Sequence, residues 1–254
     1  MITGATSGFG RAIATLFAKN GFTLIITGRR EERLSAFKDN LESIYGIKVV
    51  PLAFDVRDKQ SVEVAFEDLK SKIQTIDILV NNAGLASGLA PIDEGDTEDW
   101  DVMIDTNVKG LLYVTRKALD FMNPQGAGHI FNIGSTAGKM AYKNGNVYCA
   151  TKFAVDALTQ SMRIDLLPYN IKVTAINPGM AETEFSIVRF KGDTERAKKV
   201  YKGFQALKAE DIADVVYYCA NLPAHVCIND LTITATNQAN AIFSIKDADK
   251  VNLS

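Results

Sequence analysis

Cysteine, histidine and long apolar runs are all scarce in this chain, and each scarcity removes a class of function. Three cysteines (Cys149, Cys219, Cys227) show no C-x-x-C spacing, and an odd number cannot form a complete disulfide set, so neither a disulfide framework nor a cysteine knuckle for metal is expected. Two histidines, His129 and His225, stand far apart and offer no helical pair to a metal. No metal site is expected. No run of about eighteen apolar residues marks a membrane span, and no charged-then-apolar leader precedes residue 10; the expected setting is a reducing cytoplasm with no membrane partner. Charge is uninformative in the same way. With 28 basic and 30 acidic residues the net charge is −2, so no global field argues for a nucleic-acid partner.

What is present is a 254-residue chain with 47% hydrophobic content, enough for one large α/β domain with a substantial core. Short β-branched runs at Thr23–Thr27, Lys48–Ala53, Ile76–Val80, His129–Ile133, Lys172–Ile176 and Leu231–Thr234 are too apolar for a half-exposed antiparallel sheet. Between them, helical periodicity predicts helices over Arg11–Lys19, Glu31–Tyr45, Lys59–Lys72, Thr97–Met122, Asn146–Leu167, Thr194–Phe204 and Ala209–Leu222. Strand and helix alternate in order. The expected fold is therefore a doubly wound, Rossmann-type parallel sheet with helices on both faces, as a single domain over residues 1–254. A long polar segment, about residues 178–208, follows the fifth of these runs, at the end of a strand where such sheets build substrate sites.

"MITGATSGFG" places Gly4, Gly8 and Gly10 between a strand end and a helix start. A glycine there serves a tight turn, backbone approach to a phosphate, or close helix-to-strand contact. The helix that follows offers N–H groups and a partial positive charge to a pyrophosphate. About twenty residues on, "ITGRRE" puts Gly28 where an acid would bind an unphosphorylated ribose, followed by Arg29 and Arg30, which favours NADP over NAD. Only Met1 and Ile2 precede the Thr3-Gly4 pair, although the first strand of this fold is central. The expectation is that residues ahead of Met1 have been lost, the alternative being a strand that is short by nature.

Tyr148 and Lys152 are four apart on one predicted helix and share a face. Near pH 7 only about a thousandth of a free tyrosine is phenolate, and lowering its pKa by about three units takes roughly 4 kcal/mol of differential interaction, which a neighbouring ammonium favours.

"NNAG" at 81–84, Asn107 in "DTNVKG", Ser135 in "NIGSTAG" and "YCATK" from Tyr148 to Lys152, together with the glycine loop, resemble the short-chain dehydrogenase/reductase family from residue 2 to about residue 234. The resemblance implies that Tyr148 is the general acid or base, that Lys152 lowers its pKa and holds the nicotinamide ribose, that Ser135 binds the reacting oxygen and that Asn107 supports a water relay. It also implies cofactor contacts from Gly4, Thr6, Ser7, Gly8, Phe9 and Gly10, from Arg29 and Arg30, and from Asp55 and Val56 near the adenine. Asn82, Ala83 and Gly84 would line the ribose, and Pro178, Gly179 and Thr183 would frame the carboxamide. Some NADP-using members carry a base just before the middle glycine. Here that position is Ser7, which leaves the phosphate to Arg29 and Arg30.

"GRREERL", "GSTAGKMAYKNGNVYCATK", "AETEFSIVRFKGDTERAKKVY" and "TNQA" are similar to a narrower group, the NADP-dependent 3-hydroxy acid dehydrogenases that include serine and allo-threonine dehydrogenases. A hydroxy acid needs its carboxylate held, and Arg189 is the candidate because it follows the apolar "SIV". Lys198, Lys199 and Lys202 are better read as the solvated face of a helix. Two other readings stand beside this one: a broad carbonyl reductase for neutral ketones or acyl thioesters, and an NADP-binding regulator without catalysis. The family also implies a homotetramer joined through helices 97–122 and 146–167 and the last strand. The tail from Ala235 to Ser254 would cross to a neighbour or lie disordered.

Overall fold

The computed structural model describes residues 1–247 and places a parallel sheet between two layers of helices. Its strands are β1 (Leu24–Gly28), β2 (Val49–Ala53), β3 (Ile78–Asn81), β4 (Gly128–Ile133), β5 (Ile171–Pro178) and β6 (Asp230–Ile233). β1 pairs with β2, and β3-β4-β5-β6 form a parallel run. The short stretch ahead of the glycine loop joins the two parts. Ile2 bridges in parallel to both Ile26 and Val80, its N–H donating to Ile25 O at 2.8 Å and its carbonyl accepting from Thr27 at 3.0 Å. On its other side, Val80 donates to Met1 O at 2.8 Å and Thr3 to Val80 O at 3.0 Å. Residues 1–3 thus fill the centre of the sheet although they are too few to register as a strand.

One face is covered by α1 (Gly8–Lys19), α2 (Glu31–Tyr45) and α9 (Ala209–Ala220), which bury Ile13, Phe17, Leu34, Leu41, Ile212 and Val216 against Ile26, Val80 and Phe131. The other is covered by α3 (Lys59–Lys70), α5 (Leu111–Met122) and the end of α6 (Asn146–Asp165), with Phe66, Leu69, Phe121 and Met122 against Leu79, Ile130 and Val173. The crossover from β4 to β5 through α6 and the one from β5 to β6 through α9 step the same way along the sheet on opposite faces, so the two have opposite hands. Between the layers a buried polar chain crosses the sheet: Asn81 Nδ2 donates to Thr115 Oγ1 and Asn132 Oδ1, each at 2.8 Å, and Asn132 Nδ2 to Thr159 Oγ1 at 2.9 Å. His129 is likewise a core residue, its Nε2 2.8 Å from Thr174 Oγ1.

Three elements differ from expectation. The helix expected over Thr97–Met122 is interrupted: α4 (Thr97–Ile104) runs into a π-helical turn, Asp105–Gly110, before α5. A π-turn inserts a residue and turns the neighbouring side chains. Asn107 is thereby aimed at Leu85, accepting from its N–H and donating to its carbonyl at 2.8 Å each. Secondly, the polar stretch after β5 holds an extra helix, α7 (Phe185–Arg189), ahead of α8 (Thr194–Tyr201). Five residues give no period to detect, and α7 is held by a 2.6 Å hydrogen bond between Ser186 and Tyr201. Thirdly, the tail folds back on its own chain as far as it is described, with Ile245 donating to Asn237 O at 2.9 Å and Asp247 to Gly203 O at 2.8 Å. The expectation for the tail falls partly on residues 248–254, which lie outside the described residues.

Candidate active site

A cleft of about 880 Å³ runs along the carboxyl ends of the strands, where open α/β sheets bind ligands. At one end stands the glycine loop. Gly4 and Gly8 have φ of 64° and 50°, values that side chains with a Cβ rarely adopt. Gly10 is needed for space: a Cβ there would run into the Gly4 carbonyl and the Asn82 amide. The loop is fastened from beneath. Thr3 Oγ1 accepts from the N–H groups of Asn82 and Ala83 at 2.9 Å each, and Asn82 Nδ2 donates to Thr3 O at 2.8 Å and to Gly4 O at 3.3 Å. Ser7 caps α1 in extended backbone without a side-chain bond, which leaves the first-turn N–H groups without a side-chain cap. Gly10 itself lies behind the cleft wall. Thr6, Ser7, Gly8 and Phe9 line it.

Beyond the loop, Arg29 and Arg30 line the same cleft from the end of β1, with Arg30 Nη2 3.2 Å from Thr6 Oγ1. Both are exposed. Opposite them, Asp55 is gripped by Arg57, whose Nη2 and Nε donate to Oδ2 at 2.6 and 3.0 Å and whose Nε also reaches Oδ1 at 3.1 Å. Burial works to raise the Asp55 carboxyl. The Arg57 hydrogen bonds and charge, with that of Arg29, outweigh it and hold the group below the usual carboxylate range. Val56 and Asn82–Gly84 also line the cleft.

Midway along the cleft stand three residues of the expected tetrad, Ser135, Tyr148 and Lys152, with Asn107 behind the wall. Ser135 follows β4 and accepts from Ala137 N–H at 3.0 Å. Tyr148 and Lys152 project from α6, the Lys152 Nζ 5.9 Å from the Tyr148 ring centre and 2.9 Å from Ile133 O, to which it donates. Asn107 Nδ2 donates to Thr151 Oγ1 at 3.0 Å as well as to Leu85, so its side chain braces α6 and the 85 loop and does not face the cleft. Burial dominates the electrostatics at this point. Burial pushes the Tyr148 phenol up, Tyr142 adds to the rise, and the Ser135 hydroxyl and Arg189 charge only partly oppose it. Lys152, buried as well, is lowered to about 8. Desolvation exceeds the pull of an ammonium that is not in hydrogen-bond reach, so without cofactor Tyr148 is held protonated.

The remaining wall is the segment after β5. Pro178, Gly179 and Thr183 line the cleft, Met180 N–H donates to Gln238 Oε1 at 2.8 Å, and Tyr201 donates to Ala181 O at 2.8 Å. Phe185 sits 5.6 Å from the Tyr148 ring. Arg189 reaches the centre, its guanidinium carbon 5.5 Å from the Tyr142 ring and 5.6 Å from the Tyr148 ring. It forms no salt bridge with a carboxylate among the described residues. Its backbone and side chain tie the segment to the 88 loop: Gly88 N–H donates to Arg189 O at 3.0 Å, and Arg189 Nε to Gly88 O at 3.3 Å. Nearby, Lys191 pairs with Asp96 at 3.2 Å and Asp99 at 3.0 Å. Lys198, Lys199 and Lys202 are exposed, in keeping with a solvated helix face.

A family model described as short chain dehydrogenase matches residues 1–193. The chain belongs to the short-chain dehydrogenase family. It is 48% identical over 246 residues to the NADP-dependent 3-hydroxy acid dehydrogenase of Salmonella typhi, covering 96% of this chain and 98% of that protein. To sulfoacetaldehyde reductase 2 of Chromohalobacter salexigens it is 44% identical, covering 96% and 97%. Among solved structures, the closed form of a serine dehydrogenase complexed with NADP+ superposes with a TM-score of 0.90 at 45% identity, over 96% of this chain and 97% of that one. This dehydrogenase is therefore an oxidoreductase.

Four residues that shape the dehydrogenase site escape a reading of the sequence. Arg57 has a local signal, standing two positions after Asp55 in "FDVRD". Thr3, Tyr142 and Gln238 have none: each acts on a residue distant in the chain, and Gln238 is recognisable only as part of "TNQA".

Proposed function

We propose that this dehydrogenase transfers hydride between NADP(H) and a small 3-hydroxy acid or its semialdehyde, with Tyr148 as general acid or base. The observation that carries the reading is Arg189, a guanidinium beside Tyr148 with no carboxylate of its own. A planar cation held in this way offers bidentate hydrogen bonds to an anionic group of the substrate. Serine, allo-threonine, 3-hydroxyisobutyrate and 3-hydroxypropionate or malonic semialdehyde all carry such a group next to the reacting carbon chain. The Salmonella relative and the serine dehydrogenase fit this choice by name.

The cleft also suits the cofactor. The positive-φ glycines, the close approach at Gly10 and the α1 N-terminus form a cradle for a pyrophosphate, and Arg29 and Arg30 stand where a 2′-phosphate would lie. Asp55 and Lys152 line the same cleft, where Asp55 would meet the adenine and Lys152 would hold the nicotinamide ribose. When bound, NADPH supplies the hydride. Tyr148, kept protonated by burial, then gives its proton to the carbonyl oxygen while Ser135 donates a hydrogen bond to the same atom. In the oxidation direction Tyr148 must lose its proton first, and the Lys152 charge, present below about pH 8, favours that loss.

A second anionic reading has its own support. Sulfonate and carboxylate present similar oxygens to Arg189, and the Chromohalobacter relative is a sulfoacetaldehyde reductase by name. A neutral ketone reductase would not need Arg189, and a non-catalytic regulator would not need an intact tetrad. The expected oligomer is a homotetramer, supported by exposed apolar side chains on α5 and α6, among them Leu112 and Phe153. Light scattering that gives a monomer rejects it. No helix among the described residues is long and apolar enough to cross a membrane, and the cytoplasm remains the proposed compartment.

The deciding experiment is a panel of L-serine, 3-hydroxyisobutyrate, malonic semialdehyde, sulfoacetaldehyde and a neutral diketone, run with NADP(H) and NAD(H) in parallel. The expected result is a preference for anionic substrates and for NADP(H). Equal turnover of the diketone rejects the reading. In the same assay Tyr148→Phe is expected to lower kcat by roughly a thousandfold while NADPH still binds.

A further inference from the structure

Arg189 does not hold its place alone, and what holds it is Tyr142. The Tyr142 ring is fixed by the backbone it leans on: a Cβ at Gly145 would run into the ring, and Gly145 N–H donates to Tyr142 O at 3.1 Å. This pins Tyr142 to the start of α6, the helix that carries Tyr148. From there its ring face meets the Arg189 guanidinium at 5.5 Å. The same guanidinium lies 5.6 Å from the Tyr148 ring centre. Arg189 itself sits at the end of α7, a helix of five residues, and its side chain's polar anchor among the described residues is the Gly88 carbonyl at 3.3 Å. A long side chain on so short an element loses much rotamer freedom when it is held. Contact with Tyr142 prepays part of that loss.

We propose that Tyr142 is a positioning residue that sets the specificity of this enzyme for anionic substrates, by holding the Arg189 guanidinium between itself and Tyr148. The inference rests on the reading of Arg189 given above and deepens it. Tyr142 itself need not touch the substrate. A ring that orients a cation strengthens binding of a carboxylate or sulfonate and gives a neutral carbonyl nothing, so the effect lies in the ratio between substrate classes.

The test compares wild type, Y142F, Y142L, R189Q and the Y142L/R189Q double variant, with NADPH and with malonic semialdehyde against 2,3-butanedione. In Y142L the semialdehyde-to-diketone ratio of kcat/KM is expected to fall about tenfold, carried by the semialdehyde KM, as suits loss of a desolvated cation–π contact. Y142F, which keeps the ring, is expected to leave the ratio within about twofold of wild type. R189Q is expected to lower it by roughly a hundredfold, and adding Y142L to R189Q to lower it no further. Equal losses on both substrates in Y142L, or independent losses in the double variant, overturn the proposal while leaving the Arg189 reading intact. An unchanged ratio in R189Q overturns that reading and this inference with it. If Y142L does not fold, Y142M, which also lacks the ring, decides, and an unchanged ratio there overturns the proposal.

Discussion

The two halves of the cleft are held by different physics. The glycine-loop half is built from backbone and buried amides: Thr3 and Asn82 are locked to each other across the centre of the sheet, and Gly10 is packed so closely that no side chain fits. The half formed by residues 180–201 hangs on side chains near the surface. Lys191 and Asp96 are both more than half exposed, α7 and α8 are short, and Arg189 leans on two rings. The difference teaches which half of this site can be altered by a single side chain. A backbone cradle cannot be retuned by one substitution without breaking it, whereas a side-chain clamp can.

The largest expected effect breaks the rigid half. Gly10→Val drives a side chain into the Gly4 carbonyl and the Asn82 amide and is expected to weaken NADPH binding more than about a hundredfold, with a stability loss of about 2–3 kcal/mol; calorimetry and thermal melting check both. An intact affinity would mean that the cradle is softer than its packing implies. Next is cofactor choice at the far rim. Replacing Arg29 and Arg30 together by Ala is expected to cut the preference for NADPH over NADH by roughly thirtyfold, read from paired dissociation constants.

A smaller effect sharpens the comparison at its seam. Lys152 has a folded pKa of about 8, below that of a free lysine, so its charge is present below that pH and lost above it. The kcat/KM for NADPH, which reports the free enzyme, is expected to fall about tenfold at pH 9, and Lys152→Arg, whose charge persists, is expected to remove that limb. The sign for stability is opposite to that of an ordinary ion pair: the unfolded chain keeps its proton between about pH 8 and 10.5, so the Lys152 contribution to stability rises with pH over that window. The smallest effect is at the surface. Lys191→Ala loosens the clasp to Asp96 and Asp99 and is expected to raise substrate KM by only roughly two- to threefold, less at high salt, since exposed pairs contribute little.

The rigid half was also the more legible in sequence. Gly4, Gly8 and Gly10 announce themselves because no other residue takes their conformations or spacing, and Tyr148 and Lys152 because helical geometry fixes what four positions mean. The alternation of apolar runs was enough for the parallel sheet and both helical layers. The side-chain half was less so. Arg189 was reached from its place after an apolar triplet, but α7 is too short to have a period, and Tyr142 touches Arg189 across 47 positions.

By itself, then, the sequence determined the sheet, the glycine loop and the shared helix face of Tyr148 and Lys152, since each depends on local conformation or on a fixed spacing. Tertiary structure alone decided three matters. It put residues 1–3 at the centre of the sheet by pairing them on both sides. It bound the Asn107 side chain, within a π-turn, to Leu85 and Thr151. And it buried the Tyr148 phenol, which raises its pKa, because burial is a property of the folded chain that a spacing of four does not contain.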